Sequence, residues 1–238
     1  MEITPLGDRA VLVRVTGNFE ADPKGALEKV LTAQQTLAAA KIPGVVELAP
    51  AYTTITLFYD PTLAIEAGAS VEAIFAWFER RIREAISNAE DVSTDPIPTS
   101  TVEIPVCYAS ELALDLDDVA SRAGLDPNAV VDLHSGAEYR VHCIGFTPGF
   151  PFLSGLPPQI AMPRRETPRK EIPAGSVGIG GKQTGIYPVK SPGGWNIIGR
   201  TPLRLFDPQK NPPALLRAGD RVRFRPISHD EFERLIKS

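Results

Sequence analysis

Cysteine is almost absent from this chain: Cys107 and Cys143 are the only two among 238 residues. Two thiols far apart in sequence make neither a disulfide framework nor a Cys-x-x-Cys metal pattern. Two reduced thiols and no metal site are therefore expected. Histidine is nearly as scarce, with three residues, and no His-Glu-x-x-His or Gly-x-Ser-x-Gly motif occurs. A basic excess is missing too. The net charge of -4 argues against generic binding to nucleic acid, which needs a positive footprint. No apolar run approaches the roughly 20 residues of a membrane-spanning helix. The opening MEITPLGDRA lacks the basic start and apolar centre of a secretory signal, so a cytoplasmic location is expected. What remains is 43% hydrophobic and 23% charged. That composition supports a sizeable core in one large domain or two small ones.

The first half carries regular patterns. Residues Ala10 to Val15 read as a strand. Asp22-Pro23 opens a helix, with Asp as N-cap and Pro at the first helical position, and this helix stops near Pro43-Gly44. Two strands follow, Val45 to Leu48 and Thr53 to Tyr59, and Asp60-Pro61 breaks the run. Ser70 is expected to cap a second helix with apolar positions Val71, Ile74, Phe75, Phe78, Ile82 and Ile86. The order β-α-β-β-α describes a small α+β domain over residues 1–90. The polar stretch 88–100, with two prolines and no periodicity, reads as a linker.

The second half has another texture. Most of the 23 prolines and 19 glycines fall between Cys143 and Ile227. Proline fixes the backbone and glycine opens positive φ and close approach, so this region is short strands and shaped loops. Before it come a strand at Val102 to Tyr108 and helices from Leu116 to Arg122 and from Asp126-Pro127 to Gly136. Strands are expected at Tyr139 to Ile144, Ser176 to Gly180, Ile186 to Val189, Asn196 to Gly199, Leu203 to Phe206 and Arg221 to Arg225. Many short strands at close spacing suggest a barrel or sandwich over residues 101–238.

Several features can carry chemistry. Gly178 to Gly185, GIGGKQTG, imitates a phosphate loop, but Gln183 follows Lys182 and no helix can follow at TGIYPVKSP. A turn that approaches a ligand or a strand fits better, with Lys182 either a point charge for an anion or a solvated lysine. Residues 164–170 place Arg164, Arg165, Arg169 and Lys170 around Glu166 and directly before Glu171. This reads as a solubilising edge or a partner surface with local ion pairs, slightly ahead of an anion pocket. Ser191 to Asn196, with Gly193, Gly194 and Trp195, fits a pocket wall or a barrel corner. Phe150 and Phe152, locked between prolines, fit a binding lip or a core plug. His134 can serve as a general base, yet a lone histidine is more often structural.

The ordered motifs of this half resemble a known family. H-S-G-A-E-Y-R-V at 134–141, G-F-T-P-G-F-P-F-L at 145–153 and P-R-R-E-T-P-R at 163–169 come first. P-A-G-S-V-G-I at 173–179, Q-T-G-I-Y-P at 183–188, S-P-G-G-W at 191–195, G-R-T-P-L-R-L-F-D-P at 199–208 and A-G-D-R-V-R-F at 218–224 follow. These motifs are similar to those of the carboxyltransferase domain C/D family, also called allophanate hydrolase subunit 1. That family includes sporulation-kinase inhibitors and the B subunit of bacterial 5-oxoprolinase. The departures are Ala109-Ser110 in place of a usual Gly-Gly and Thr147 in place of a bulky apolar residue.

The resemblance implies a C-terminal cyclophilin-like β-barrel behind the N-terminal α+β domain. It implies a subunit of an ATP-dependent enzyme that opens 5-oxo-L-proline to L-glutamate. Activity would need a homologous cyclophilin-like C subunit and a third lactam-utilisation subunit. ATP, with magnesium, would sit mainly on a partner. Developing oxyanion charge must be met by donors. The implied catalytic residues are His134, Lys182 and Gln183. The implied substrate-binding residues are Arg165, Arg169, Thr184, Tyr187, Gly193, Gly194 and Trp195. Inhibition of a sensor histidine kinase and a place in an allophanate or urea amidolyase system are the alternatives.

Overall fold

The computed structural model describes residues 1–17, 19–88 and 101–237. Most of the linker read at 88–100 lies outside the described residues. Two compact units flank that stretch, and each has its own hydrophobic core.

The first unit holds four strands: β1 (Glu2–Pro5), β2 (Ala10–Arg14), β3 (Val45–Ala51) and β4 (Thr54–Tyr59). They form one antiparallel sheet in the order β1-β2-β4-β3. Val11 and Val13 of β2 and Ile55 and Leu57 of β4 are fully buried, so alternate residues of the two central strands face the core. Helix α1 (Pro23–Ala39) contributes Val30 and Leu37 to that core, and α3 (Ile74–Ser87), which follows the short helix α2 (Pro61–Glu66), contributes Trp77, Phe78 and Ile82.

Three features depart from the β-α-β-β-α reading. Strand β1 precedes the expected first strand, and its Glu2 pairs across the ladder with Arg14 at 3.0 Å. Asp60-Pro61 does not merely break the chain: the Asp60 carboxylate accepts from the Thr62 amide and starts α2. This repeats the Asp22 and Asp126 caps, which accept from Gly25 and Ala129. Ser70 does not cap α3. A 3-10 turn, Val71–Ala73, intervenes, and the Ser70 hydroxyl donates to Glu72 instead.

The second unit is built on β5 (Thr101–Cys107), β6 (Glu138–Ile144), β7 (Pro151–Ser154), β9 (Ser176–Gly180), β10 (Gln183–Ile186), β12 (Asn196–Arg200) and β13 (Arg221–Ile227). They close a barrel in the order β10-β7-β6-β13-β5-β12-β9, so the α+β class with a C-terminal barrel stands. The first of these strands, β5, runs parallel to the last, β13. A parallel pair needs a long crossover, and here the rest of the barrel supplies it. A separate two-stranded ribbon joins β8 (Arg169–Ile172) to β11 (Ser191–Gly193). Ile104, Val106, Tyr139, Val141, Leu153, Val177, Ile179, Ile198 and Val222 fill the interior, and all are fully buried. Helices α4 (Leu116–Ala123) and α5 (Pro127–Gly136) pack on this core.

The strand expected at 186–189 lies earlier, at β10. The stretch 203–206 is not a strand of the barrel. It makes one isolated bridge, Phe206 to Ala214, while Leu205 plugs the core. Proline at 202, 208, 212 and 213 explains why no ladder extends there. Helix α6 (His229–Ile236) is absent from the sequence expectations, although Ser228 and Glu231 form a legible start. The Ser228 hydroxyl accepts from the Glu231 amide, as a capping serine does. Among the described residues no helix is long and apolar enough to cross a membrane.

Candidate functional site

The false phosphate loop is a hairpin. Gln183 pairs with Gly180 across the β9–β10 turn, with Lys182 exposed at its tip. No helix N-terminus stands behind the turn, so these residues do not fit a phosphate cradle. The hairpin has another role. A Cβ on Gly180 would lie 2.6 Å from the Trp195 indole, so only glycine lets that ring lie on the strand. Gly193 does the same for Tyr187, whose hydroxyl occupies the space a Cβ would need.

These close approaches assemble an aromatic cluster. Phe150 is 1% exposed and is the plug of the set. Its ring meets Tyr187 at 5.2 Å and Trp195 at 5.5 Å, both edge to face, and Phe152 at 4.8 Å. Such pairs add stability beyond their area. Phe146 stands edge-on to Phe150 at 5.6 Å yet is 64% exposed, with φ at +67°. A bulky residue in left-handed backbone stores strain, which is concentrated at binding sites. Between Phe146, Phe152, Pro168, Gly194, Trp195 and Arg164 lies a cleft of about 190 Å³. Burial raises the Tyr187 phenol above its ordinary pKa, and the Trp195 amide, Arg164 and Arg169 partly oppose that.

One buried carboxylate holds the cleft wall. Asp115, whose side chain is 1% exposed, accepts from Arg165 Nη1 at 2.6 Å. It accepts from both terminal nitrogens of Arg169 at 2.7 Å, a bidentate grip. Its remaining contact is the Ile197 amide at 2.7 Å, while its own amide donates to the Ile197 carbonyl at 2.7 Å. The bond to Asp115 raises the pKa of Arg169 further, so that guanidinium stays charged. Arg165 and Arg169 are thus ion-paired, as the edge reading allows, but to the buried Asp115 and not to a neighbouring glutamate. Asp115 is outside every sequence expectation. It stands immediately before α4, where an Asp reads as an N-cap, but its side chain makes no cap bond.

Further bonds clamp the loop that bears these arginines. Asn196 Nδ2 donates to the Pro163 carbonyl at 2.9 Å, and the Arg165 amide donates to the Gly194 carbonyl at 2.7 Å. Tyr187, Gly193, Gly194, Trp195 and Arg165 therefore converge on one cleft, with Arg169 bracing it from β8.

His134, Thr184, Lys182 and Gln183 do not line that cleft. His134 is fully buried and stacks on Phe224 at 4.5 Å. The Thr184 hydroxyl donates to the Gly178 carbonyl at 3.0 Å, so it must accept from His134 Nε2 at 3.0 Å. That leaves Nδ1 to accept from the Tyr108 hydroxyl at 2.8 Å. Burial lowers the imidazole to a pKa of about 3, so it is neutral. Both ring nitrogens are committed inside the barrel. The ring has the place of a structural histidine, the reading that a lone histidine favours over an acid–base one. Cys107 and Cys143 are both buried thiols.

Comparison with known proteins gives the chain its family. The model of the carboxyltransferase domain, subdomain C and D, matches residues 1–216. A protein of Bacillus subtilis (strain 168), named as the B subunit of 5-oxoprolinase, is 42% identical over 97% of this chain and 95% of its own. A protein of the same name in Escherichia coli O157:H7 is 46% identical over 78% of this chain and 79% of its own. Among solved structures, that of TTHA0988 superposes with a TM-score of 0.74 at 36% identity. It covers 92% of this chain, which spans only 40% of that longer one. With the barrel, the glycine-shaped aromatic cleft and these matches together, the chain belongs to the carboxyltransferase domain, subdomain C and D family.

Proposed function

We propose that this chain is the B subunit of an ATP-dependent 5-oxoprolinase, which opens 5-oxo-L-proline to L-glutamate only with its partner subunits. The observation that carries the reading is the cleft itself, taken with the end-to-end similarity to a protein named as the B subunit of 5-oxoprolinase. Its volume is about 190 Å³, below the roughly 300–1,000 Å³ of pockets for drug-sized ligands, and so suits a small ring. Its walls are aromatic rings, Pro168, backbone and the two arginines Arg164 and Arg165, and among the described residues no carboxylate, histidine, cysteine or serine lines it. Opening a lactam needs an activated carbonyl and an attacking water. This cleft can hold and orient a ring but lacks the groups to do both steps alone. That is the character of half a shared site.

In this reading Tyr187, Gly193, Gly194 and Trp195 hold the substrate, and Arg165 and Arg169 fix the wall. His134 and Thr184 stabilise the barrel behind it. Lys182 and Gln183 make no contact within the cleft. The hairpin around Lys182 offers no phosphate cradle, so ATP with magnesium belongs on a partner: a homologous cyclophilin-like subunit or a third lactam-utilisation subunit. The location follows the enzyme and is cytoplasmic.

The test is reconstitution. The chain alone should be inactive, and ATP-dependent glutamate release should appear when both partners are added. A complete complex that releases no glutamate from 5-oxoproline sinks the reading. Reduced autophosphorylation of a histidine kinase by the chain alone would replace it with the inhibitor alternative.

A further inference from the structure

Three arginines lie close together in sequence on the cleft loop and on β8, and their fates differ. Arg165 and Arg169 are spent on Asp115. Arg164 is exposed and makes no ion pair with any described residue. Its guanidinium carbon lies 5.9 Å from the Trp195 ring centroid, at the outer edge of cation–π reach. Its backbone is not loose. The preceding carbonyl, of Pro163, is held by Asn196, and the following amide, of Arg165, is held by Gly194. A charged fork is therefore fixed at its base and free at its tip, on the rim of an aromatic cleft.

That arrangement has a chemical meaning. A planar ring can lie against Trp195 and Phe152, with the backbone of Gly193 and Gly194 beside it. For a neutral ring a cation at the rim can only donate to the carbonyl oxygen, which leaves its charge without a partner. Such a cation is what an anionic substituent on the ring requires, and a guanidinium grips a carboxylate with two parallel bonds. Gly194 faces the same space: a Cβ there would meet only Pro168 at 3.6 Å and the Arg165 carbonyl at 3.7 Å. An added methyl would fit the fold and intrude on the ligand.

We propose that Arg164 is the carboxylate-binding residue of this cleft, whose ligand is a small planar cyclic amide carrying a carboxylate next to the ring nitrogen. The inference rests on the 5-oxoprolinase reading, and it adds a residue and a selection rule. Arg164 favours lactams that carry the acid group, because only these give its guanidinium a charged partner. Arg165 and Arg169 shape the wall and do not touch the carboxylate.

The experiment compares the wild type, Arg164→Gln and Gly194→Ala in the complete complex, with 5-oxo-L-proline and the acid-free lactam 2-pyrrolidinone as substrates. Loss of one charge-assisted pair should raise the KM for 5-oxoproline about 10- to 100-fold in Arg164→Gln, with kcat changed far less. The preference for 5-oxoproline over 2-pyrrolidinone should collapse by a similar factor. Gly194→Ala should raise KM for both lactams while unfolding normally. An unchanged KM in Arg164→Gln, or a fall in kcat alone, overturns the assignment. A second readout does not need turnover. In the full chain, 5-oxoproline should shift the indole N–H resonance of Trp195, identified by its loss in Trp195→Phe, and 2-pyrrolidinone should not. Arg164→Gln should abolish that shift. No shift at millimolar 5-oxoproline in the wild type removes the cleft as its site, even if the complex is active. A shift with an inactive complex instead removes the enzyme reading and keeps the ligand.

Discussion

Replacing Asp115 should weaken the second unit more than its single charge suggests. Three hydrogen-bonded partners, Arg165, Arg169 and the Ile197 amide, depend on this one carboxylate. Removing one member of a buried, hydrogen-bonded charge set costs about 3–5 kcal/mol. The two arginine side chains are 34% and 24% exposed, so water recovers part of their loss, and the lower figure applies to them. The Ile197 amide has no such relief, because Ile197 is fully buried, and an orphaned buried amide adds about 1–3 kcal/mol. Asp115→Ala should therefore cost about 4 kcal/mol. Asp115→Asn keeps the shape and one good acceptor and should cost about half of that. Urea unfolding followed by near-ultraviolet dichroism measures both. The midpoint should fall with little change in slope. Arg165→Ala should then cost clearly less in the Asp115→Ala background than in the wild type, since the two share one interaction. An Asp115→Ala protein within about 1 kcal/mol of the wild type would refute the anchoring role, and additive effects would refute the coupling.

Two other outcomes follow from the same geometry. His134 takes up a proton below about pH 3 when folded but near 6.5 when unfolded, so its contribution is complete above pH 6.5 and lost as pH falls towards 3. At pH 5 the loss is about 2 kcal/mol, and His142, lowered to about 4 by burial and then by Arg140, acts in the same direction. Unfolding free energies at pH 7.5 and 5.0 should differ less in His134→Gln than in the wild type; an equal difference excludes the mechanism. Gly180→Ala would drive a methyl to 2.6 Å from the Trp195 ring, an overpacking cost of about 1–3 kcal/mol. A shifted tryptophan emission and a lower unfolding midpoint should report it, and the absence of both would show that the strand yields.

How much of this is legible depends on the range of the interaction that decides each feature. The Asp-Pro pairs at 22–23 and 126–127 announce their helices because a cap is a contact over three residues. The same signal at Asp60-Pro61 reads as a break, and the Ser228 to Glu231 start of α6 goes without an expectation, although both are local. Strands β7, β8 and β11 are hidden for a different reason. They are three or four residues long, and proline opens β7 or sits within β11, so their pairing comes from partners distant in sequence.

The site divides in the same way. Composition alone marks the glycine- and proline-rich half as shaped loops, and motif order alone places the chain in its family. Residue chemistry alone also rejects the phosphate loop at 178–185, because proline and Gln183 are incompatible with it. What only the tertiary structure decides is which arginine is free. Asp115 lies 50 residues from Arg165 and 54 from Arg169, and no local rule joins them. The fold brings that carboxylate under two guanidiniums and leaves Arg164 without an ion pair among the described residues. It likewise turns His134, a candidate base by residue type, into a neutral ring committed at both nitrogens. Charge and residue type are written in the sequence, but their partners are set by burial and distance, which exist only once the barrel has closed.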